Sequence, residues 1–391
     1  MTASPARNRL GRDELLSRAE GLLPRLRERA AQCDAARRCP EETVADFVES
    51  GLLHICQPAR FGGYELGWDV LCEVNETLAR ANGSQAWVHH VYVDHSQMVG
   101  TFPLEAQDDV WSKDPDTRIA ASFAPVGTAR PVSGGVVYSG DHTYSSGIDH
   151  AGWAICGGHV VGDGAPRRCF FLVPRRDLAI IDDWHVMGLA GTGSKSFTVR
   201  DVFVPDHRIL DGEAAARGAG PGTFVNRAPI FRVPRGGVTA LGFASVAVGI
   251  ARGFLEEYLR YAKARRSRGT AVALSAGTQI GFGAASAEIE AASTIYRAAA
   301  RGAMATLEDS RAVSEEQALR AGRDAAFAAQ LALNAAHRLF NAAGGPALFL
   351  TTALQRHLHD LYAATAHNTL IWDKAAEAYG RNALLGGQTP A

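Results

Sequence analysis

The period of the apolar residues changes twice along this chain, and that double change constrains the fold more than any single motif. From about Asp13 to Phe102 apolar residues recur three and four apart, as in "RDELLSRAEGLLPRLRERAAQC" and "WDVLCEVNETLARANGSQAWVHHVYVDHSQMVG", the spacing of amphipathic helices. "QPARFGGYELG" interrupts them, with Pro58, Gly62 and Gly63 marking a loop. From about Arg118 to Leu210 the period falls to two, and "GGVVYSGDHTYSSG", "HAGWAICGGHVV", "RRCFFLVPR" and "SFTVRDVFVP" read as short strands parted by glycine and proline. Past a loose, glycine-rich connection, "GEAAARGAGPGTF", helical spacing returns in alanine-rich segments with a break at Gly344, Gly345 and Pro346. Alanine is the strongest helix former and its small side chain lets helices approach closely, so this end is expected to be a tight antiparallel bundle. The chain therefore reads as α+β, with a helical domain over 1–115, a β-domain over 116–215 and a helix bundle over 216–391. No repeat of solenoid period interrupts that order.

The glycine-rich stretch "IDDWHVMGLAGTGSKSFTVRDVFVP" raises the question of a phosphate grip. A dinucleotide fingerprint needs G-x-G-x-x-G at the mouth of a helix, whereas Gly188, Gly191 and Gly193 have another spacing and lead into a strand. A P-loop needs Gly-Lys together, and Ser194 separates Gly193 from Lys195. These glycines are expected to bend a loop between strands.

Charge excludes other classes. Forty basic against forty-one acidic residues leave a net charge of -1, which offers no field for nucleic acid or an anionic membrane. The six cysteines form no C-x-x-C pair and fit reduced thiols in a cytoplasmic protein. The polar start "MTASPARNRLGRDELLSRAE" lacks the apolar core of a signal peptide. The most apolar window, Val238 to Ala251 before Arg252, is too short for a bilayer span and reads as a buried helix.

This order of parts resembles the acyl-CoA dehydrogenase fold over essentially the whole chain. "QPARFGGYE" is similar to that superfamily's loop between early helices, "ASFAPVGTARPVSGGVVYSGDHTYSSGIDHAGW" to its flavin-embracing strands, and "MGLAGTGSKSFTVRDVFVP" to the segment ending its β-domain. The resemblance implies a barrel-like β-domain, a C-terminal four-helix bundle and a flavin ring lying between them. True dehydrogenases of this fold remove a proton with a glutamate, often in a Tyr-Glu-Gly context. Here the late region reads "LQRHLHDLYAATAHNTLIWDKAAEAYGR", without that context and with His367 instead.

That region, with "YSSGIDHAGW" and "WHVMGLAGTGSK", resembles the two-component (group D) flavin-dependent monooxygenases, notably the oxygenase components that hydroxylate steroid-ring phenols and 4-hydroxyphenylacetate. The resemblance implies FMNH2 or FADH2 supplied by a separate NAD(P)H:flavin reductase, O2 as co-substrate, a C4a-hydroperoxide, a small aromatic substrate and a homotetramer. It also carries residue roles. Ser146 matches the position that contacts flavin N5, although Ser145 and Ser146 equally suit a turn before Gly147. His367 matches the histidine that takes the phenol proton, a task for which neutral imidazole is suited. His95 matches a helix bordering the substrate cavity, while the neighbouring His89-His90 pair equally suits the surface. Ser122, Ala124, Gly147, Thr192 and Ser194 match positions around the flavin. Arg265 and Arg268 in "RYAKARRSRG" lie near an arginine that reaches the cofactor across a subunit interface, and a basic cluster at a helix end is otherwise ordinary.

Trp87 and Trp153 read as core. His357, His359 and Asp360 lack the three ligands and open position of a metal site, so no metal is expected. Rival readings are N-oxygenation of an amine such as an amino sugar, a true acyl-CoA dehydrogenase, and a non-catalytic ligand-binding protein of the same fold.

Overall fold

In a computed structural model, which describes residues 9–386 apart from 163 and 268, the three regions follow one another as helices, sheet and helices. Five helices come first: α1 (Arg12–Ala36), α2 (Glu41–Glu49), α3 (Trp68–Ala79), α4 (Gly83–Val99) and α5 (Leu104–Trp111). The strands are β1 (Ile119–Val132), β2 (Gly135–Ser145), β3 (Trp153–Val160), β4 (Arg167–Pro174), β5 (Ala179–Ile181), β6 (Lys195–Pro205) and β7 (Ile209–Asp211). They form one sheet in the order β5-β6-β2-β1-β3-β4-β7, antiparallel except for the β1–β3 pair.

The alternation of the strands serves two cores. Ala120, Ala154, Phe171, Phe197 and Tyr138 point to one side, into a cluster the sheet curls around. Ile119, Ala121, Ile155, Phe170 and Leu172 point to the other, against Met98, Val99 and Phe102 at the end of α4 and Val110 and Trp111 of α5. Period-two residues buried on both faces are the pattern of a sheet covered on each side.

The connection read as loose is partly helical, because Asp211 caps α6 (Gly212–Ala216) by accepting from the Glu213 and Ala214 amides. Then follow α7 (Gly237–Ala264), a short hairpin of β8 (Arg266–Ser267) and β9 (Thr270–Ala271), and α8 (Ala276–Glu308), α9 (Glu315–Ala343), α10 (Ala353–Thr365) and α11 (Trp372–Leu385). Helix α9 buries Ala321, Ala325, Ala328, Ala332, Ala335 and Ala336, a stripe three and four apart that seats it against α7 and α8.

Helix α7 runs well past the apolar window seen in the sequence. Arg252 does not end it, because its guanidinium bonds Glu76 at 2.8 Å and Glu290 at 2.7 Å. By length and composition α7 could cross a membrane, but 89% of its most apolar window is buried inside the protein, as befits the central helix of a bundle.

Helix α4 is buried on every side, packed among α1, α3, α7, α10 and β1. His89 and His90 are accordingly core residues and not surface ones. A helix enclosed all round shows no polar face, so its buried polar groups depend on neighbours for their partners.

Candidate active site

The site is built where α4, the end of β2, the glycine-rich loop before β6, the start of α7 and the turn after α10 converge. Near the end of β2 Tyr144 is left-handed (φ 59°) and exposed, and the chain continues through buried Ser145 and Ser146 to left-handed Gly147. A side chain at Gly147 would collide with Tyr92 of α4, whose hydroxyl instead donates to the Gly147 carbonyl at 2.6 Å. The Gly147 amide donates to Thr192 O at 2.9 Å and so locks the turn to the glycine loop.

That loop grips helices and not phosphate. A Cβ at Gly188 would stand 1.9 Å from His359 O of α10, and one at Gly191 2.1 Å from Cys33 Sγ of α1. Lys195 is paired with Asp149 at 2.9 Å. Between those two glycines Leu189 is left-handed and donates its amide to Asp360 Oδ1 at 2.7 Å.

Asp360 thereby anchors the loop, and its environment sets a pH dependence. Burial pushes its carboxyl up to about 8, with the charge of Asp34 adding to the rise and the Leu189 amide opposing it. A carboxyl raised in the folded state contributes stability that is complete below the unfolded value near 4 and lost as pH rises toward 8. Thermal unfolding of the wild type is therefore expected to shift to lower temperature between pH 5 and 8. Asp360→Asn, which still accepts from Leu189, should flatten that slope, and an unchanged slope would show that another group sets it.

Four side chains and one carbonyl form a line of hydrogen bonds along the site. Trp87 Nε1 donates to Ser146 Oγ at 3.2 Å, Ser146 Oγ meets Ser194 Oγ at 2.7 Å, Ser194 Oγ meets Thr192 Oγ1 at 2.6 Å, and Thr192 donates to Leu189 O at 2.8 Å. Trp87 is thus both core and part of the site, a double role its type alone does not signal. Its ring meets Phe243 of α7 at 4.8 Å and His367 at 5.4 Å, and His367 stacks on Phe243 at 4.2 Å.

His367 caps the turn after α10, with Nδ1 2.9 Å from Thr369 Oγ1. Burial pushes its imidazole down to about 4, against a smaller upward pull from Asp94. His95, one turn before the end of α4, is likewise driven to about 4 by burial, and its Nδ1 lies 2.8 Å from the Ile119 carbonyl. A carbonyl only accepts, so Nδ1 carries the proton and Nε2 of the neutral ring is left as an acceptor without a hydrogen-bond partner among the described residues.

Between these histidines lies a pair that sequence reasoning missed. Asp94 is fully buried and receives Arg235 in a two-pronged grip, Nη1 to Oδ1 and Nη2 to Oδ2, the latter at 3.0 Å. Arg235 also stands over the Phe123 ring, which His95 meets edge-on at 5.4 Å.

The other sequence candidates divide. Ser122 donates to Thr143 O at 3.0 Å, tying β1 to the end of β2. Ala124 lies in the stretch where β1 slips register against β3 between Ser122 and Gly127, and is exposed at the lip. Arg265 is not gathered here. It caps the far end of α7, where its guanidinium covers Tyr261, roughly 33 Å from Phe243 at about 1.5 Å per helical residue. Arg268 lies outside the described residues. Among the described residues no three His, Cys, Asp or Glu are grouped to hold a metal ion.

The residues present fit a flavin. Trp87, Phe243 and His367 offer an aromatic wall, Ser146 stands at its edge, and the buried Ser145 Oγ beside it has no hydrogen-bond partner among the described residues.

Comparison with known proteins agrees. Residues 20–112 match the acyl-CoA dehydrogenase N-terminal domain and residues 241–372 the acyl-CoA dehydrogenase C-terminal domain. The chain is 35% identical to the flavin-dependent monooxygenase, oxygenase subunit HsaA, of Rhodococcus jostii (strain RHA1), over 93% of this chain and 97% of that one. It is 33% identical to the oxygenase component of the FADH(2)-dependent resorcinol hydroxylase of Rhizobium sp. (strain MTP-10005), over 95% of this chain and 94% of that one. The crystal structure of 3-HSA hydroxylase from Rhodococcus sp. RHA1 superposes with a TM-score of 0.93 at 34% identity, covering 97% of this chain and 99% of that one. The chain belongs to the oxygenase subunits of flavin-dependent monooxygenases that share the acyl-CoA dehydrogenase fold.

Proposed function

We propose that this protein is the oxygenase half of a two-component system, receiving FMNH2 or FADH2 from a separate NAD(P)H:flavin reductase in the cytoplasm and using O2 to hydroxylate a phenolic or other electron-rich aromatic molecule. The observation that carries the reading is the pair of neutral imidazoles, His95 and His367, beside a carboxylate, Asp94, already held by Arg235. Such imidazoles are unprotonated near neutral pH and so open to a phenol proton, whereas a dehydrogenase of this fold needs a free carboxylate. Bound reduced flavin would supply the activated oxygen by combining with O2.

The chain's own residues do the rest. Ser146 would meet the N5 edge of the flavin, Gly147, Thr192, Ser194, Ser122 and the Ala124 backbone would surround its ring, and Trp87 and Phe243 would exclude water. His367 takes the phenol proton, since phenolate is the better nucleophile, and His95 orients the hydroxyl through Nε2.

Arg265, remote from its own site, would serve the flavin of a neighbouring subunit in a homotetramer. Exposed Leu274, Ile280, Leu348, Phe349 and Leu384 on the C-terminal helical region support burial in such an assembly. With reductase, NAD(P)H and isotope-labelled O2, a panel of simple phenols should yield a product carrying one labelled oxygen atom. Oxidation of the flavin without labelled product from any aromatic compound would count against the reading.

A further inference from the structure

The line of hydroxyls behind Ser146 runs in one direction only. Indole N–H can only donate, so Ser146 accepts from Trp87. At the other end the Leu189 carbonyl can only accept, and it takes the Thr192 hydroxyl proton. Thr192 then has no proton left for Ser194, so Ser194 is the donor in their 2.6 Å contact. Ser194 has none left for Ser146, so in the 2.7 Å contact Ser146 donates. Both ends are held. Trp87 packs against both Phe243 and His367, while Leu189 is fixed by Asp360 and also receives Trp184 Nε1 at 3.2 Å. Ser146, Ser194 and Thr192 are all buried, so each is partnered mainly by its neighbours in the line.

Ser146 is left with its proton committed and a lone pair free. We infer that Trp87, Ser194 and Thr192 are positioning residues that hold Ser146 as an obligate acceptor, so that the pocket selects a flavin bearing a proton on N5. Reduced flavin presents N5–H, a donor that satisfies the lone pair. Oxidised flavin presents a bare N5, an acceptor set against an acceptor, which leaves both unpaired in a buried place. The relay would let the oxygenase capture reduced flavin and release the oxidised form without a charged group near N5. This inference rests on the proposed contact between Ser146 and N5.

The test is binding, not turnover. Dissociation constants for reduced FMN and FAD under anaerobic conditions, and for their oxidised forms, are measured on the full-length protein by equilibrium ultrafiltration. Wild type should favour the reduced form. Ser194→Ala and Thr192→Val free the Ser146 hydroxyl to turn and donate to bare N5, so each should lower the oxidised-to-reduced ratio of dissociation constants by about tenfold. For a two-electron couple that tenfold loss lowers the midpoint potential of the bound flavin by about 30 mV, a second readout. Ser194→Thr keeps the hydroxyl and should keep the ratio, which controls for folding.

A purely structural role for Ser194 and Thr192 would weaken both redox forms in proportion, and an unchanged ratio in their variants overturns the inference. If Ser146→Ala alters the ratio while those variants do not, the relay fails and the Ser146 contact stands. If Ser146→Ala alters neither affinity, the contact with N5 itself fails.

Discussion

His367→Ala is expected to cut aromatic hydroxylation by about 10²–10⁴-fold, the usual worth of a positioned proton acceptor, while reduced flavin is still oxidised and its electrons emerge as hydrogen peroxide. The imidazole is held at about 4 mainly by burial, so it is a neutral base throughout the physiological range. Hydroxylation by the wild type should therefore be flat, on this group's account, above about pH 5 and fall as pH drops through 4. In the variant the substrate must ionise unaided. With a phenol value near 10, the rate should climb roughly tenfold per pH unit between pH 6 and 9. Product and peroxide measured together across that range give the profile. A variant that keeps the full, flat profile would move the proton-accepting role to another group, with the Nε2 of His95 next in place. An amine substrate, which needs no proton removed before attack, would also be insensitive to His367, and the phenol panel separates the two cases.

How much of this was legible in the sequence depended on how local the signal was. The three regions were readable because strand alternation serves two cores at once, as Ala120 and Ala121 or Phe170 and Phe171 do, while Ala321 to Ala336 keep a strict helical stripe. The turn at Ser146 and Gly147 and the loop at Thr192 and Ser194 were readable because each lies within one short segment. Helix α4 was readable as a helix, but the burial of His89 and His90 was not, since enclosure on every side leaves no polar face to mark which residues lie inside. Arg235 carried no local sign at all. It stands in a loop 141 positions from Asp94, and only the packing of α7 against α4 joins them. Arg265 matched by position, yet nothing in one chain brings it to the site.

The Asp94–Arg235 pair should be the most costly single interaction to break in this site. Asp94→Ala is expected to lower the free energy of unfolding by about 3–5 kcal/mol, because it strands a largely buried guanidinium against Phe123 with no counter-charge. Burial by itself would raise the Asp94 carboxyl, but the charge and hydrogen bonds of Arg235, helped by His95 and His90, outweigh it and hold the group below the usual range. A depressed carboxyl contributes stability that is present above the unfolded value near 4 and lost as pH falls through the folded one. Urea unfolding at pH 7 should accordingly show the full cost of Asp94→Ala, and unfolding below pH 4 a smaller one. Replacing both partners with apolar residues, as in Asp94→Leu with Arg235→Met, should restore much of the stability, since the cost lies in the unpaired charge more than in the lost pair. A double variant as unstable as the single one would mean that the pair's geometry, and not its charge balance, holds α4 to the mouth of α7. The same carboxylate pulls the His95 and His367 imidazoles upward against burial, so its loss should make both weaker bases. Hydroxylation by the refolded double variant should then fall even where its stability is recovered, which separates the pair's structural role from its electrostatic one.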